Sequence, residues 1–338
     1  MELNTLWFIL IGILFIGYFI LEGFDFGVGI WMPFLAKEDT QRRMILNTIG
    51  PHWDGNEVWL ITAGGAMFAA FPGWYATLFS GFYLPLLVIL LALIVRGIAL
   101  EFRSKDESPR WRLFWDWAVC IGSILPSFLW GVAFANFVKG VPIDAAGNFI
   151  GSFWNLINVY SILCGLVTLT GFMLQGALFL SLKVSEPVQS KARLAAGRVW
   201  IATAAVLLAT AIATYFYTDI LTKLGFNPGP VPIFAVIASL VAGWFIRQKQ
   251  DGWAFIVNSI AVLLTTATVF MILYPRVMVS SLDPGFSLTI YNSASNPNTL
   301  RVMSIVALIF VPLVLLYQAW SYWVFRKRIT ADPGDLHY

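Results

Sequence analysis

Charged residues are scarce in this chain. Only 12% of the 338 residues are Asp, Glu, Lys or Arg, whereas 59% are hydrophobic, and the mean hydropathy is +0.78. Soluble domains carry about 25% charged residues, so the composition excludes a soluble globular protein and indicates an all-α integral membrane protein with many spans. The net charge of +3 is too small to indicate a polyanionic partner, and we expect no nucleic-acid partner.

Histidine and cysteine are equally rare. The two histidines are His52 and the penultimate residue His337, so the chain cannot supply two histidines on facing helices to a haem. Methionine is an alternative ligand, but in apolar helices it mostly packs. We therefore expect no metal site and no haem held by this chain alone. We expect His52 to bond to a neighbouring carboxylate or to face the surface, and Cys120 and Cys164 to act as small buried hydrophobes.

Nine apolar stretches are long enough to predict transmembrane helices, each of which needs about 20 mostly apolar residues. No basic segment or cleavage site precedes the first stretch, so we expect a helix and not a signal peptide. Small residues at 63–66 predict close helix packing in the second stretch. A polar external loop is expected at about 275–300. The predicted spans are about 6–34, 53–71, 74–99, 113–138, 156–182, 199–217, 231–247 (led in by Pro230 and Pro232), 253–274 and 302–325.

Basic residues lie mostly on one side of these predicted spans. Of the 21 Lys and Arg residues, 17 follow odd-numbered spans, with Arg96 counted at the third connection. The other side has only Lys139, Lys223, Arg276 and Arg301. Because cytoplasmic loops are enriched in Lys and Arg, the pattern predicts an external N-terminus and a cytoplasmic C-terminus.

Two acidic stretches stand out within the apolar sequence. The first contains Glu22 and Asp25, and the second, at the start of the next predicted span, contains Asp54 and Glu57. A charged side chain at the centre of a membrane helix costs roughly 2.5–3.5 kcal/mol on insertion scales. Each pair is three residues apart and therefore shares a helix face. With the predicted orientation all four lie in the cytoplasmic half of the membrane, which indicates a proton or ion path.

Structural roles are open alternatives for these residues. Asp54 could cap the helix that it begins, because an anion is favourable at a helix N-terminus. Asp116, which lies between two tryptophans, could anchor its helix at the membrane interface. Glu22 and Asp25 could pair with Arg96 or with a partner chain.

Several motifs together resemble subunit II of the cytochrome bd-type quinol oxidases. They are Glu22-Gly23-Phe24-Asp25-Phe26-Gly27-Val28-Gly29, the run from Pro51-His52-Trp53-Asp54-Gly55-Asn56-Glu57 to Ala66, Arg103-Ser104-Lys105, Trp115-Asp116-Trp117 and Gly131-Val132-Ala133-Phe134. The resemblance covers nearly the whole chain and includes the count of nine spans.

The resemblance implies a fold of two four-helix bundles plus a peripheral helix in a single polytopic membrane domain. The first bundle would cover about 1–138 with the acidic residues, the second about 150–275, and the last helix about 301–326. The implied partner is subunit I, which carries haem b and haem d and oxidises quinol. A small single-helix subunit, membrane lipid or quinone are further candidate partners.

Residue roles follow from the same resemblance. It implies that Asp54 helps to feed cytoplasmic protons towards the oxygen-reducing haem of the partner. The shared helix faces of the two acidic pairs place Asp25, Glu22 and Glu57 on the same path. Supporting roles fall to His52, Trp53, Asn56 and Asp116. No catalytic residue is expected in this chain.

The function that we expect is therefore an accessory but required subunit of a quinol-dependent oxidase in a prokaryotic plasma membrane. The complex would reduce oxygen to water and generate proton motive force. One alternative is a stand-alone proton-coupled transporter, but transporters commonly interrupt helices in both halves, and here the polar residues concentrate in the first four spans. A purely structural scaffold is the other alternative, and it leaves the acidic residues unexplained.

Overall fold

The computed structural model of the chain is helical over 80% of the residues that it describes. It describes residues 2–220, 231–332, 334 and 336; Lys223, Pro230 and His337, which the sequence arguments used, lie outside these residues. The helices α1 to α11 in the described residues are Leu3–Leu35, Asp39–Ile49, Trp53–Ala70, Pro72–Gly81, Tyr83–Phe102, Pro109–Lys139, Val159–Lys183, Val188–Tyr217, Val231–Arg247, Asp251–Leu273 and Pro297–Val324. Short 3-10 turns cover Arg103–Lys105, Phe153–Leu156 and Pro284–Phe286.

Seven helices in the described part of the chain are long and apolar enough to cross a membrane: α1, α5 with its following 3-10 turn, α6, α7, α8, α10 and α11. This confirms an all-α integral membrane protein. Two further helices coincide with predicted spans, but α9 has only 17 residues, and α3 carries Asp54 and Glu57 within its 18 residues. The count of nine spans stays a prediction.

The predicted third span, 74–99, is wrong as a single helix. Helix α4 ends at Gly81 and α5 begins at Tyr83, with Phe82 buried between them. Pro85 explains the break, because its ring conflicts with the carbonyl four residues earlier, which belongs to Gly81. The hydropathy of the sequence does not reveal this break, because the residues on both sides of Phe82 are equally apolar.

Polar connections also contain more structure than the sequence predicted. The amphipathic helix α2, in the connection before α3, buries Met44 to Ile49 against the body. Helix α8 begins at Val188, before the predicted start at 199, because its first turns are charged and leave the apolar window. The predicted external loop contains a hairpin of β1 (Arg276–Met278) and β2 (Leu288–Thr289), whose first strand is fully buried.

Helix α1 is the centre of the fold. It packs against α3, α6, α7 and α10, so it contacts both halves of the chain. Its crossing with α7 is very close: a Cβ atom on Gly27 would lie 2.0 Å from the backbone oxygen of Phe172 and 2.7 Å from the Cα atom of Gly176. Only glycine permits two helix backbones to meet at this distance.

The close packing predicted for residues 63–66 is confirmed at Ala63, which is fully buried, and is wrong for the two glycines. Gly64 and Gly65 of α3 face open space, because a Cβ atom added to either glycine would have no neighbour within 4 Å, and Ile61 is 72% exposed. Helix α11 is similarly open, and Leu300 is its one buried residue in the described chain. Both helices therefore present apolar surface to lipid or to another chain.

Candidate functional site

Helix α1 carries Glu22 and Asp25 into the interior of the protein. Both side chains are fully buried, as is every residue from Gly23 to Ile30. The surrounding helices enclose α1 on all sides at this level, so neither carboxyl group has direct access to solvent. Burial of a carboxylate is costly unless hydrogen bonds or an opposite charge compensate it. The groups that surround the two side chains therefore decide what they can do.

Arg96 of α5 joins the two acidic stretches. Its Nη1 donates to Glu22 Oε1 and, at 2.9 Å, to Glu57 Oε1. Arg96 and Glu22 are inaccessible to solvent, whereas the Glu57 side chain is 21% exposed. The guanidinium also lies over the ring of Phe26, 5.0 Å from its centroid, which adds a cation–π contact. The structure thus confirms the pairing of Glu22 with Arg96 that the sequence left open.

Asp25 meets α3 through an amide. Its Oδ2 accepts a hydrogen bond of 2.7 Å from Asn56 Nδ2. Asn56 is fully buried, and its Oδ1 accepts from Gln318 Nε2 at 3.1 Å and from Tyr322 OH at 2.8 Å. Two helices distant in sequence, α3 and α11, therefore meet at the carboxyl group of Asp25.

Two carboxyl groups, those of Glu22 and Glu57, pair with the single guanidinium of Arg96, and Asp25 adds a third carboxyl group one helical turn after Glu22. We call Glu22, Asp25, Glu57 and Arg96 the buried acid cluster. Within the described chain, Glu22 Oε2, Asp25 Oδ1 and two nitrogen atoms of Arg96 have no hydrogen-bond partner. The cluster therefore has free acceptor oxygens and free N–H donors, and it is closed on one side but reaches the surface at Glu57. Proton exchange through bound water would need both features.

Asp54 lies outside this cluster, on the exposed face of α3. Its Oδ1 accepts a hydrogen bond of 2.7 Å from the backbone N–H of Gly55. His52 is the N-cap residue, so Asp54 stands at the second helical position and is not itself the cap. The capping role is therefore wrong in that form, although the negative charge still favours the helix N-terminus. Asp54 and Glu57 share a helix face, one turn apart.

His52 is buried, and the expectation that it bonds to a carboxylate or faces the surface is wrong. Its ring stacks on Tyr322, with centroids 4.2 Å apart and planes inclined by 6°, and its edge meets Phe325. Burial, with a smaller contribution from the nearby charge of Lys183, lowers the pKa of His52 from 6.5 to about 4. The neighbouring Trp53 packs against Gly97 of α5. Both residues fix the start of α3.

Asp116 belongs to a different network. It is fully buried, and its two oxygens accept from Arg42 Nη1 at 2.6 Å and from Arg103 Nε at 2.5 Å. Arg103 continues to Asp39, at 2.8 Å, and so does Arg112 at 2.7 Å. These ion pairs tie α2 to the ends of α5 and α6. Asp116 therefore holds these elements together through its ion pairs, and its place at the membrane interface stays a prediction.

A cavity of about 140 Å³ lies between α1 and the helices α6 to α10. The lining fits a haem poorly, because it contains neither histidine nor methionine, and of its two other residues of haem-ligating type, Cys164 and Tyr160, the Tyr160 hydroxyl is hydrogen-bonded with Thr214 at 3.1 Å. His52, the one histidine among the described residues, does not line this cavity. No group of three His, Cys, Asp or Glu residues suited to a metal occurs among the residues that the structure describes.

Sequence reasoning missed Gln318 and Tyr322 as parts of the site. Both are polar residues in the otherwise apolar last helix, and a polar side chain in such a helix is a signal of function or of a buried contact. Arg96 gave the same signal inside the predicted third span, but it was counted with a loop. It lies within α5, so it drops out of the basic residues that support the orientation.

Comparison with known proteins bears directly on this site. The family model of cytochrome bd terminal oxidase subunit II matches residues 3–325. The chain is 46% identical over 330 residues to cytochrome bd ubiquinol oxidase subunit 2 of Bacillus subtilis, with 97% of each chain covered. It is 36% identical over 363 residues to cytochrome bd-I ubiquinol oxidase subunit 2 of Escherichia coli K12, with 98% of this chain and 96% of that one covered.

The fold has a counterpart among solved structures as well. A chain of the bd oxidase from Geobacillus thermodenitrificans superposes with a TM-score of 0.77 at 19% identity, and 97% of this chain and 100% of that chain are covered. At that identity the superposition supports the fold alone, whereas the sequence matches extend over almost the entire chain. The chain therefore belongs to the cytochrome bd terminal oxidase subunit II family.

Proposed function

We propose that this chain works as the second large subunit of a cytochrome bd quinol oxidase and that it supplies part of the route by which protons reach the oxygen-reducing site. Family membership makes it part of an oxidoreductase complex with a quinol substrate and haem cofactors, and it leaves no support for a stand-alone transporter. The haems, b and d, belong in our proposal to subunit I. The poor fit of this chain's residues to a haem supports that division.

The main support for the proton role is that the buried acid cluster contains three carboxyl groups and one guanidinium. Glu22 and Glu57 both pair with Arg96, and Asp25 adds a third carboxyl group that is held by Asn56. The cluster can therefore hold a proton and still keep its guanidinium paired. A purely structural ion pair needs one carboxylate for each cation, and surplus buried carboxyl groups are expensive. A surplus that is retained inside a membrane helix is therefore best explained by its chemistry.

The route that we propose begins at Asp54. This side chain is exposed and lies one helical turn before Glu57, whose side chain is 21% exposed and reaches Arg96. A proton taken up at Asp54 passes to Glu57 and then to Glu22 and Asp25 through water bound at the free oxygens of the cluster. His52 and Trp53 hold the start of α3, and Asp116 holds α2, so these three residues act by positioning.

The membrane arrangement forms part of the same proposal. Helices α3 and α9 complete nine spans, in two four-helix bundles and a peripheral α11, within a bacterial plasma membrane. The N-terminus is external and the C-terminus cytoplasmic, so Asp54 faces the proton source. The apolar face of α3 around Gly64 and Gly65 suits contact with subunit I. A small single-helix subunit, lipid or quinone completes the assembly.

Asp54→Asn tests the proton role. The substitution keeps size and an acceptor oxygen for Gly55 N–H, and it removes ionisation. We expect oxygen consumption with saturating quinol to fall at least tenfold, a barrier increase of about 1.4 kcal/mol, while assembly and haem content stay normal. Asp106→Asn is the matched control, because Asp106 Oδ1 likewise accepts a local backbone hydrogen bond, of 2.7 Å from Ser108 N.

The contrary results are equally definite. Normal turnover of the Asp54→Asn complex across a pH series would refute proton delivery and leave the local role, since Asn keeps an acceptor oxygen for the backbone N–H of Gly55. Loss of the assembled complex in Asp54→Asn, with the Asp106→Asn complex intact, would instead indicate a structural charge and would also contradict the proposal.

A further inference from the structure

We infer that the last helix acts on the buried acid cluster: Gln318 and Tyr322 of α11 are positioning residues that hold the Asn56 amide so that it donates to Asp25. The inference rests on the proposed function, because it assigns to Gln318 and Tyr322 an indirect role in proton delivery, through Asn56. It adds α11, a peripheral helix, to a path that otherwise lies in α1, α3 and α5.

The orientation of the Asn56 amide is decided by its oxygen end. Oδ1 accepts from both Gln318 Nε2 and Tyr322 OH, at 3.1 and 2.8 Å, which leaves the NH₂ end for Asp25 at 2.7 Å. If the amide were turned over, its oxygen would face the carboxylate oxygen of Asp25, and its NH₂ would face the two donors. The contacts with Asp25 and Gln318 would then both be unfavourable, whereas the Tyr322 hydroxyl can donate or accept. Asp25 and Gln318 therefore specify the orientation of the amide, and Tyr322 adds a second hydrogen bond to its oxygen.

Gln318 is itself oriented by the indole N–H of Trp59, which can donate a hydrogen bond but cannot accept one. Trp59 Nε1 donates to Gln318 Oε1 at 2.8 Å, and an indole N–H can only donate. The carboxamide oxygen of Gln318 must therefore face Trp59, and its NH₂ must face Asn56. Tyr322 is held by the stacking of its ring on buried His52, at 4.2 Å. The hydrogen-bond direction thus runs from Trp59 through Gln318 and Asn56 to Asp25.

Packing accounts for the ring of Tyr322, which contacts Phe24 and His52, but not for its hydroxyl group or for Gln318. In the described part of α11, Leu300 is the one buried residue, and it lies near the opposite end of the helix. Large apolar residues of the same helix are exposed, including Leu316 at 69% and Tyr317 at 67%. A helix that contributes so little to the core nevertheless sends two polar groups to one buried amide, and this amide is the one that contacts Asp25.

The test uses the assembled oxidase with Tyr322→Phe, Gln318→Met and both together. Phe keeps the ring that stacks on His52, and Met keeps the length of Gln, so assembly and haem content should stay normal. Each single change removes one hydrogen bond to Asn56, and we expect turnover to fall about fivefold. Tyr317→Phe, the same substitution on the exposed side of α11, should leave turnover unchanged.

Two further measurements separate positioning from simple loss of structure. The solvent deuterium isotope effect on oxygen consumption should rise in Tyr322→Phe, because a misplaced Asp25 makes proton delivery slower relative to electron transfer. In an Asn56→Ala background, which removes the amide, Tyr322→Phe should cause no further loss. An equal loss in both backgrounds, or an unchanged isotope effect, would overturn the inference.

Failure of this inference can be told apart from failure of the proposed function. If Asp54→Asn and Asp25→Asn abolish turnover but the α11 variants match the parent complex, the proton path stands and the positioning role is wrong. If Asp54→Asn and Asp25→Asn leave turnover normal, the proton path is wrong, and a loss in the α11 variants has another cause. Only reduced turnover in both sets, with a raised isotope effect, supports the inference.

Discussion

Four acidic residues that look alike in the sequence occupy three different environments. Glu22 and Asp25 are fully buried, Glu57 is partly exposed and touches Arg96, and Asp54 is on the surface of α3. The proposed transfer route requires such a graded series from surface to interior. In that proposal, position along the series separates the entry group, Asp54, from the groups that hold a proton.

His52 permits a prediction about pH. In the folded chain its pKa is about 4, whereas an unfolded histidine has a pKa near 6.5. Between these values the unfolded chain binds more protons, so the stability contributed by neutral His52 is complete above about pH 6.5 and falls as the pH falls towards 4. We expect the complex to lose about 1 kcal/mol of stability from this source between pH 7 and 5.5.

The comparison that isolates this effect is His52→Phe, which keeps an aromatic ring on Tyr322 and cannot titrate. Denaturant unfolding of the purified complex at pH 7 and 5.5 should give a smaller pH difference for the variant than for the parent. His337 is unchanged in both chains and cancels. Equal pH differences would mean that His52 is not held neutral by burial.

At the scale of elements, the crossing of α1 with α7 determines where the buried acid cluster can form. The two backbones meet at Gly27 and Gly176, directly after the turn of α1 that carries Glu22 and Asp25. On another side, Gly122 of α6 allows close contact with α5, since its Cβ would lie 2.9 Å from the Cβ of Arg96. Small residues thus bring the charged side chains within hydrogen-bonding distance.

Gly27→Ala should therefore be strongly destabilising. The added Cβ would meet backbone atoms of α7, which cannot move aside as a flexible side chain can, and overpacking of this kind costs about 1–3 kcal/mol or more. Gly171→Ala is the matched control on α7, because its Cβ would have no neighbour within 4 Å. Thermal unfolding of both complexes should show a clear loss for Gly27→Ala alone. Equal melting temperatures would contradict the close crossing.

At the scale of the whole molecule, the orientation in the membrane decides which side supplies protons. The sites for a test follow from the structure: Ser281, in the predicted external loop, and Ala331, after α11, are both exposed. A cysteine at 281 should react with a membrane-impermeant reagent in intact cells, and one at 331 should react only after permeabilisation. The native Cys120 is buried and Cys164 half-buried, which limits background labelling. The reverse pattern would invert the proposed topology and remove Asp54 from the cytoplasmic side.

The division of labour between subunits gives another prediction at this scale. Expressed without subunit I and purified, the chain should have no Soret absorption band, because His52, the one histidine among its described residues, lies apart from the cavity between α1 and the helices α6 to α10. The complete complex, prepared in the same way, should have the band and serves as the control. A stoichiometric haem in the isolated chain that is lost in His52→Ala would contradict the prediction and reassign His52.

The sequence by itself determined the class of molecule, the family and the acidic stretches. Hydropathy is a property of local composition, and the motifs around Glu22 and Asp54 are contiguous, so both can be read along the chain. Most helix positions followed for the same reason. The break at Phe82 and the early start of α8 did not, because a proline conflict and a charged helical extension leave the apolar pattern intact.

Only the tertiary structure decided which polar residues meet. Arg96, Asn56, Gln318 and Tyr322 come from three helices, and Gln318 is 262 positions from its partner Asn56. Such contacts depend on helix crossings and rotations, which no local pattern specifies. The same is true of Asp54 and Asp116, whose sequence settings suggested a cap and an anchor. Packing left the first exposed and enclosed the second among arginines, because burial is decided by neighbours in space.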